Sequence, residues 1–181
     1  MAAVAARGYG CRRSAKASSA MAVCSRARMA GRRAGQVALW QELARKWNSK
    51  AAEELYRGPI INALKKELGA KRRYVLLEDN DPTGYKSTRG KEAKADLHIE
   101  PLRFPQYSPD LNPLDFYVWS EVEDRVLAKP ADKLESGTAY KARLRRVAKA
   151  LPASKIEGAM ASIPKRAKAI VEAKGGYVKF D

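Results

Sequence analysis

The sequence predicts an α/β fold, mostly helical, with a small two-stranded parallel sheet. Three observations predict it. Tyr74-Val75-Leu76-Leu77 is a short apolar run that breaks into the polar turn Glu78-Asp79-Asn80-Asp81-Pro82, as a buried parallel strand with a functional loop at its carboxyl end would. A second apolar stretch, Leu97 to Phe104, follows a basic segment at 87–95 that suits a short helix. This strand–helix–strand order calls for a right-handed crossover and parallel pairing. Most of the remaining apolar residues recur at spacings of three and four, the helical period.

The elements follow in order. Residues 1–35 are rich in Ala, Ser and Arg, and no acidic residue precedes Glu42. This composition fits a disordered basic tail and also fits an organellar transit peptide, leaving 36–181 as the folded part. Val37, Trp40, Leu43, Ala44 and Trp47 fit one face of a short helix. Ala52, Leu55, Tyr56, Ile60, Leu64 and Leu68 predict a second helix, interrupted by Pro59 and stopped at Gly69. After the strand pair, Asn112 is a good helix cap and Pro113 suits the first helical position. Leu114, Val118, Val122 and Val126 continue that helix, with Trp119 beside them as a core residue. Tyr140, Leu144, Val147 and Leu151 predict another helix, closed by Pro152. Ser154 and Glu157 read as a capping box that opens a last helix through Ile156, Met160, Ile163, Ala167 and Ile170, ending at Gly175-Gly176.

Composition narrows the function classes. The chain has 181 residues and a formal net charge of +16, a balance that favours a polyanionic partner, of which nucleic acid is the commonest. Lys71, Arg72, Arg73, Lys86 and Arg89 are the first candidates for phosphate contacts, with Lys91, Arg143, Arg145 and Arg146 behind them; solvated helix faces are the alternative for each. No apolar run approaches the roughly 18 residues of a membrane helix, so no membrane partner is expected. Cys11 and Cys24 lie far apart and His98 is the only histidine, which argues against a zinc site, a disulfide framework or a Ser-His-Asp triad.

Two carboxylates stand where chemistry could use them. Asp79 follows the first strand and Asp115 falls in the first turn of a helix. Carboxylates at a sheet edge can share divalent metals, and oxygen-only ligands suit magnesium or manganese. Two such metals activate a water or a 3′ hydroxyl and stabilise the leaving oxygen of a phosphodiester. The alternative is structural: Asp115 complements the helix N-terminus, and Asp79 with Asn80 makes a turn.

The stretch Leu77-Glu78-Asp79-Asn80-Asp81-Pro82, followed by Tyr107-Ser108-Pro109-Asp110-Leu111-Asn112-Pro113-Leu114-Asp115, resembles the mariner-like transposases of the DDE superfamily. That superfamily pairs a strand-end Asp-Asn-x-Pro motif with a Ser-Pro-Asp-Leu-Asn-Pro motif. Asp79 and Asp115 are 36 positions apart (115 minus 79), close to the family's spacing. Ile163-Pro164-Lys165-Arg166 and Ala173-Lys174-Gly175-Gly176-Tyr177 resemble the usual end of these proteins, and Trp47-Asn48 resembles the segment before the second catalytic strand. The resemblance covers roughly residues 45 to 181, the C-terminal part of the catalytic domain.

The resemblance implies a ribonuclease H-like fold, metal-dependent cleavage and transfer of DNA strands, Mg2+ or Mn2+ as cofactor, DNA as partner, homo-oligomeric assembly and a nuclear location. It makes Asp79 the second and Asp115 the third catalytic, metal-binding carboxylate. Asp110, Asn112 and Pro113 become the turn and cap that aim Asp115. The chain also departs from the family. No Asp precedes Asp79, where the family's first catalytic Asp lies on an earlier strand. The histidine often found shortly after Asp-Asn-x-Pro is replaced by the Gly84-Tyr85 region. The expectation is a truncated domain lacking three strands and the DNA-reading helix-turn-helix module, and impaired in catalysis. A non-catalytic nucleic-acid-binding protein of transposase descent is the alternative.

Overall fold

The computed structural model describes residues 2–9, 18–25, 35–42, 47–70, 73–78, 82–84, 86–102, 105, 108–128, 135–176 and 178–180. The expected parallel pair is present. Tyr74–Glu78 (β4) and Ile99–Leu102 (β5) run parallel with Tyr74 opposite Ile99, and Thr88–Asp96 (α3) connects them. Ser87 caps α3, its hydroxyl accepting from the Gly90 N–H at 3.1 Å.

The sheet is larger than the sequence predicts. Ala2–Tyr9 (β1), Ser18–Ser25 (β2) and Gly35–Glu42 (β3) extend it to five strands in the order β3-β2-β1-β4-β5. β1 lies parallel to β4 and antiparallel to β2, and β2 is antiparallel to β3. The expected loss of three strands therefore does not hold. Two of these strands, β1 and β2, lie within the span expected to form a basic tail, the rest of which, ahead of β3, lies outside the described residues. Ala and Ser favour strands weakly, so these segments carry little local signal. Pairing alongside β4 satisfies their backbone groups.

β3 also replaces the helix expected from Val37 to Trp47. Its pairing with β2 shifts register between Ala22 and Val23, a β-bulge that leaves Ala38 without an opposite residue. Val37 and Trp40 then pack into one core while Ala38 and Leu39 pack against the other. The bulge thus produces an apolar spacing of three, which imitates a helix.

Two cores sandwich the sheet. The first holds Ala52, Leu55, Tyr56, Ile60, Ile61, Leu64 and Leu68 against Tyr74, Leu76, Ala93 and Ile99. Its helices are Ser49–Leu55 (α1) and Ile61–Leu68 (α2), joined through a π-helical turn, Tyr56–Ile60, that contains Pro59. The wider turn accommodates a residue that has no N–H to donate. Asn48 caps α1, its Oδ1 accepting from the Ala51 N–H at 2.9 Å.

The second core, on the opposite face, joins Val37, Trp40 and Leu77 to Leu114, Val118, Val122, Val126, Ala148, Leu151 and Ile156. A π-helical segment Leu114–Val118 leads into Trp119–Leu127 (α4), followed by Gly137–Lys149 (α5), Ala153–Ala161 (α6) and Ile163–Glu172 (α7). Trp119 packs edge-on to Trp40, with ring centroids 5.6 Å apart. The single final helix expected from the sequence is two, broken at Ser162 ahead of Pro164. The Ser154–Glu157 capping box does not form either, because Pro152 is the cap residue and Ser154 already lies inside α6.

Candidate active site

Asp115 is built by the residues just before it. Pro109–Leu111 makes a tight 3-10 turn, closed by the Leu111 N–H to Ser108 O at 3.1 Å and the Asn112 N–H to Pro109 O at 3.1 Å. Asn112, only 1% exposed, then organises the helix start. Its carbonyl accepts from the N–H groups of Asp115 and Phe116, and its side-chain Oδ1 accepts from the Leu114 N–H at 3.1 Å. Its Nδ2 donates to Asp115 Oδ2 at 2.7 Å. Leu111 to Leu114 are all buried, and Asp115 is the first exposed residue after them.

Although Asp115 as a residue is exposed, the protein packed around its carboxyl strips away enough water to raise its pKa above the ordinary carboxylate range; the Asn112 hydrogen bond opposes this and is the weaker cause. A divalent cation would remove that penalty, and the carboxylate is a hard oxygen donor of the kind magnesium and manganese prefer. The residue therefore fits one ligand position. Among the described residues, no group of three or more His, Cys, Asp or Glu side chains converges as a metal site.

The raised pKa gives a testable sign. The folded state holds this proton more tightly than the unfolded chain, so stability falls as pH rises from roughly 3.9 through the folded value. Without metal, Asp115→Asn is expected to raise the melting temperature at pH 7. Discounted for the exposure of the group, the rise is on the order of 1–2 °C, and it disappears below about pH 3.5. Paired melts at the two pH values check this; a lower Tm at pH 7 would contradict the desolvation account.

Asp79 lies outside the described residues, as do Lys71 and Arg72. What the structure does show is the strand that leads to Asp79. Leu77, two residues earlier, sits in the same core as Leu114, the residue before Asp115. Glu78 turns to the opposite face, as strand alternation requires. There it accepts hydrogen bonds from the Tyr56 hydroxyl and from Lys94 Nζ, the latter at 2.7 Å. Lys94 and Glu78 side chains are 2% and 6% exposed, so this is a buried ion pair. Lys94 Nζ also lies 4.9 Å from the centroid of the Tyr56 ring. Glu78 is thus engaged structurally, on the face away from Asp115's helix.

The other predicted phosphate contacts are dispersed. Arg73 pairs with Glu100 at 2.9 Å, and Arg89 pairs with Glu53 at 2.9 Å. The Arg89 guanidinium, followed by that of Arg57, holds the Glu53 carboxyl below its usual range. Such exposed pairs contribute little and exchange readily. Lys86, Lys91, Arg145 and Arg146 are exposed. Arg143 is drawn into the fold, bonded to Glu135 at 2.6 Å and to the Val126 carbonyl at 3.0 Å.

Sequence reasoning missed Lys94, although a signal existed. Gly90, Ala93, Lys94 and Leu97 mark the inward face of α3, and a lysine there needs a buried acid. Gly90 was missed too: a Cβ on it would stand 2.0 Å from the Gly84 carbonyl oxygen, so the turn at 82–84 rests directly on the first turn of α3.

No protein-family model matches the chain. Among curated proteins, it is 32% identical over 111 residues to the Tcb1 transposase of Caenorhabditis briggsae and 32% identical over 109 residues to the Tc1 transposase of Caenorhabditis elegans. Each match takes in 60% of this chain and 38% of the relative, so the chain spans about two fifths of those proteins. Among solved structures, the catalytic domain of Mos1 mariner transposase superposes with a TM-score of 0.72 at 19% identity, over 98% of this chain and 84% of that one. The Mos1 strand transfer complex gives 0.67 at 17% identity, over 98% and 56%. The fold is therefore the ribonuclease H-like one of that catalytic domain, and the sequence resembles the Tc1/mariner transposases over about two fifths of their length.

Proposed function

Starting from its likeness to the Tc1/mariner transposases, we propose that this chain is a DDE-type transposase-like protein that binds DNA and offers Asp79 and Asp115 to Mg2+ or Mn2+. In this proposal its strand-cleavage chemistry is impaired. The observation that supports the site is Asp115: a desolvated carboxylate at a capped helix start, beside the core that also holds Leu77. Bound there, such an ion supplies Lewis-acid activation of a water or 3′ hydroxyl toward a phosphodiester. Asn112 orients the carboxylate, and the buried Lys94–Glu78 pair anchors the strand that runs into Asp79.

Impairment follows from β1. This strand lies parallel to β4, yet its sequence Ala-Ala-Val-Ala-Ala-Arg-Gly-Tyr carries no carboxylate. A site short of one metal-bridging group loses orders of magnitude in rate. DNA binding, assembly into more than one copy and nuclear residence go with this reading. The related structures include a Mos1 paired-end complex with Mn and a strand transfer complex. Among the described residues, no helix is long and apolar enough to cross a membrane. The net charge of +16 with an acid-free β1 favours a second reading, a DNA-binding protein without chemistry.

The test is Mn2+ calorimetry alongside nicking of labelled duplex DNA, for wild type, Asp79→Ala, Asp115→Ala and Ala6→Asp. Ala6 lies two positions after Val4, the register partner of Leu77. Saturable binding lost in both alanine variants is expected, with slow nicking that Ala6→Asp accelerates by ~10²-fold or more. Fast nicking by wild type, lost in Asp79→Ala, would overturn the impairment. No Mn2+ binding, with DNA binding that falls steeply with salt, would leave the second reading.

A further inference from the structure

We infer that Arg166, clamped between Phe116 and Phe180, is a positioning residue for Asp115, so that the C-terminal segment is a working part of the site; this rests on the reading of Asp115 as a metal ligand. The Arg166 guanidinium carbon lies 3.8 Å from the centroid of the Phe116 ring and 4.3 Å from that of Phe180. One planar cation thus stacks with two rings. Its Nη1 also donates to the Asp110 carbonyl at 3.3 Å.

These contacts tie together three separate pieces of chain. Arg166 comes from α7, Phe180 from the segment beyond it, and Asp110 and Phe116 bracket the turn and cap that present Asp115. Phe116 is the residue immediately after Asp115, and Asp110 lies within the 3-10 turn that leads into Asn112, which bonds the carboxylate. A shift of either end would reorient that carboxylate. Helix α7 has no fully buried residue among those described, so its hold on the domain leans on contacts of this kind. Arginine suits the role better than lysine, because a flat guanidinium can stack on two faces while an N–H remains in plane for a carbonyl.

Hydrogen exchange on the full-length protein without metal, followed by Mn2+ calorimetry, tests the inference. Arg166→Ala and Phe180→Ala are each expected to speed amide exchange in residues 108–118 by roughly tenfold and to leave α1 and α2 unchanged. Both are expected to weaken Mn2+ binding about 10- to 100-fold, the usual effect of losing a group that orients a metal ligand. Phe180→Tyr, which keeps the ring, retains wild-type behaviour. Unchanged exchange in 108–118 in both alanine variants would overturn the inference, as would an equal rise in α1 and α2, which would mark general loosening. If wild type binds no Mn2+ while the local exchange effect and its rescue by Phe180→Tyr appear, the clamp stands and the metal-site reading falls.

Discussion

Lys94→Met is expected to destabilise the protein by about 3–5 kcal/mol. The ammonium and the Glu78 carboxylate are buried together at 2.7 Å, and methionine would remove the cation while the carboxylate stays in the interior beside the Tyr56 hydroxyl. A buried carboxylate without its cation takes up a proton or admits water, and either response loosens the end of β4. Removing both charges has a different outcome. Glu78→Gln combined with Lys94→Met deletes the ion pair as a unit, and such replacements are often near neutral because the desolvation cost of both charges goes too. The double variant should therefore be more stable than Lys94→Met alone. Urea unfolding of all four members of this cycle checks the claim, and a Lys94→Met variant within about 1 kcal/mol of wild type would mean that Glu78 is better solvated than its burial indicates. Because Asp79 follows Glu78 directly, Mn2+ binding should weaken in Lys94→Met as well.

Gly90→Ala should also destabilise, against the local trend. Alanine is the better helix former by about 1 kcal/mol, and Gly90 lies within α3. Yet the new Cβ would sit 2.0 Å from the Gly84 carbonyl oxygen, a backbone atom that cannot rotate away, and 3.0 Å from its carbon. Overpacking of this kind typically costs 1–3 kcal/mol, here expected at ~2 kcal/mol or more. The relief available to the chain is to move the turn at 82–84, which lies just past Asp79, so the variant should disturb the site as well as the melt. Gly158→Ala is the internal control. Nothing lies within 4 Å of its Cβ position in α6, and the same substitution there should stabilise by about 0.5–1 kcal/mol. Thermal melts of both variants distinguish the two effects; a stabilising Gly90→Ala would show that the turn yields.

The surroundings of Asp115 in the candidate site were legible because the contacts that build them are local. The Asn112 cap, the Pro113 helix start and the exposed Asp115 all depend on groups within four residues of one another, and their sequence spacing carries that information. The parallel pair β4–β5 was legible too, since an apolar run, a short helix and a second run allow few other arrangements. Other features were not. Val37 and Trp40 imitate a helix because a bulge puts residues three apart on one face. Pro164 splits α6 from α7, and Pro152 takes the cap position that Ser154 was expected to fill.

The sequence by itself determined the family resemblance, the motif that presents Asp115, the helical character of the C-terminal half and the excess of positive charge. Only the tertiary structure decided that the weakly strand-forming segments Ala2–Tyr9 and Ser18–Ser25 join the sheet, that Lys94 belongs inside beside Glu78, and that Arg166 grips the turn at Asp110 from 56 residues away. The reason is the range of the forces involved. Caps and turns are set by immediate neighbours, whereas a ladder partner, a buried counter-charge or a stacked ring acts only once the fold has brought distant segments together.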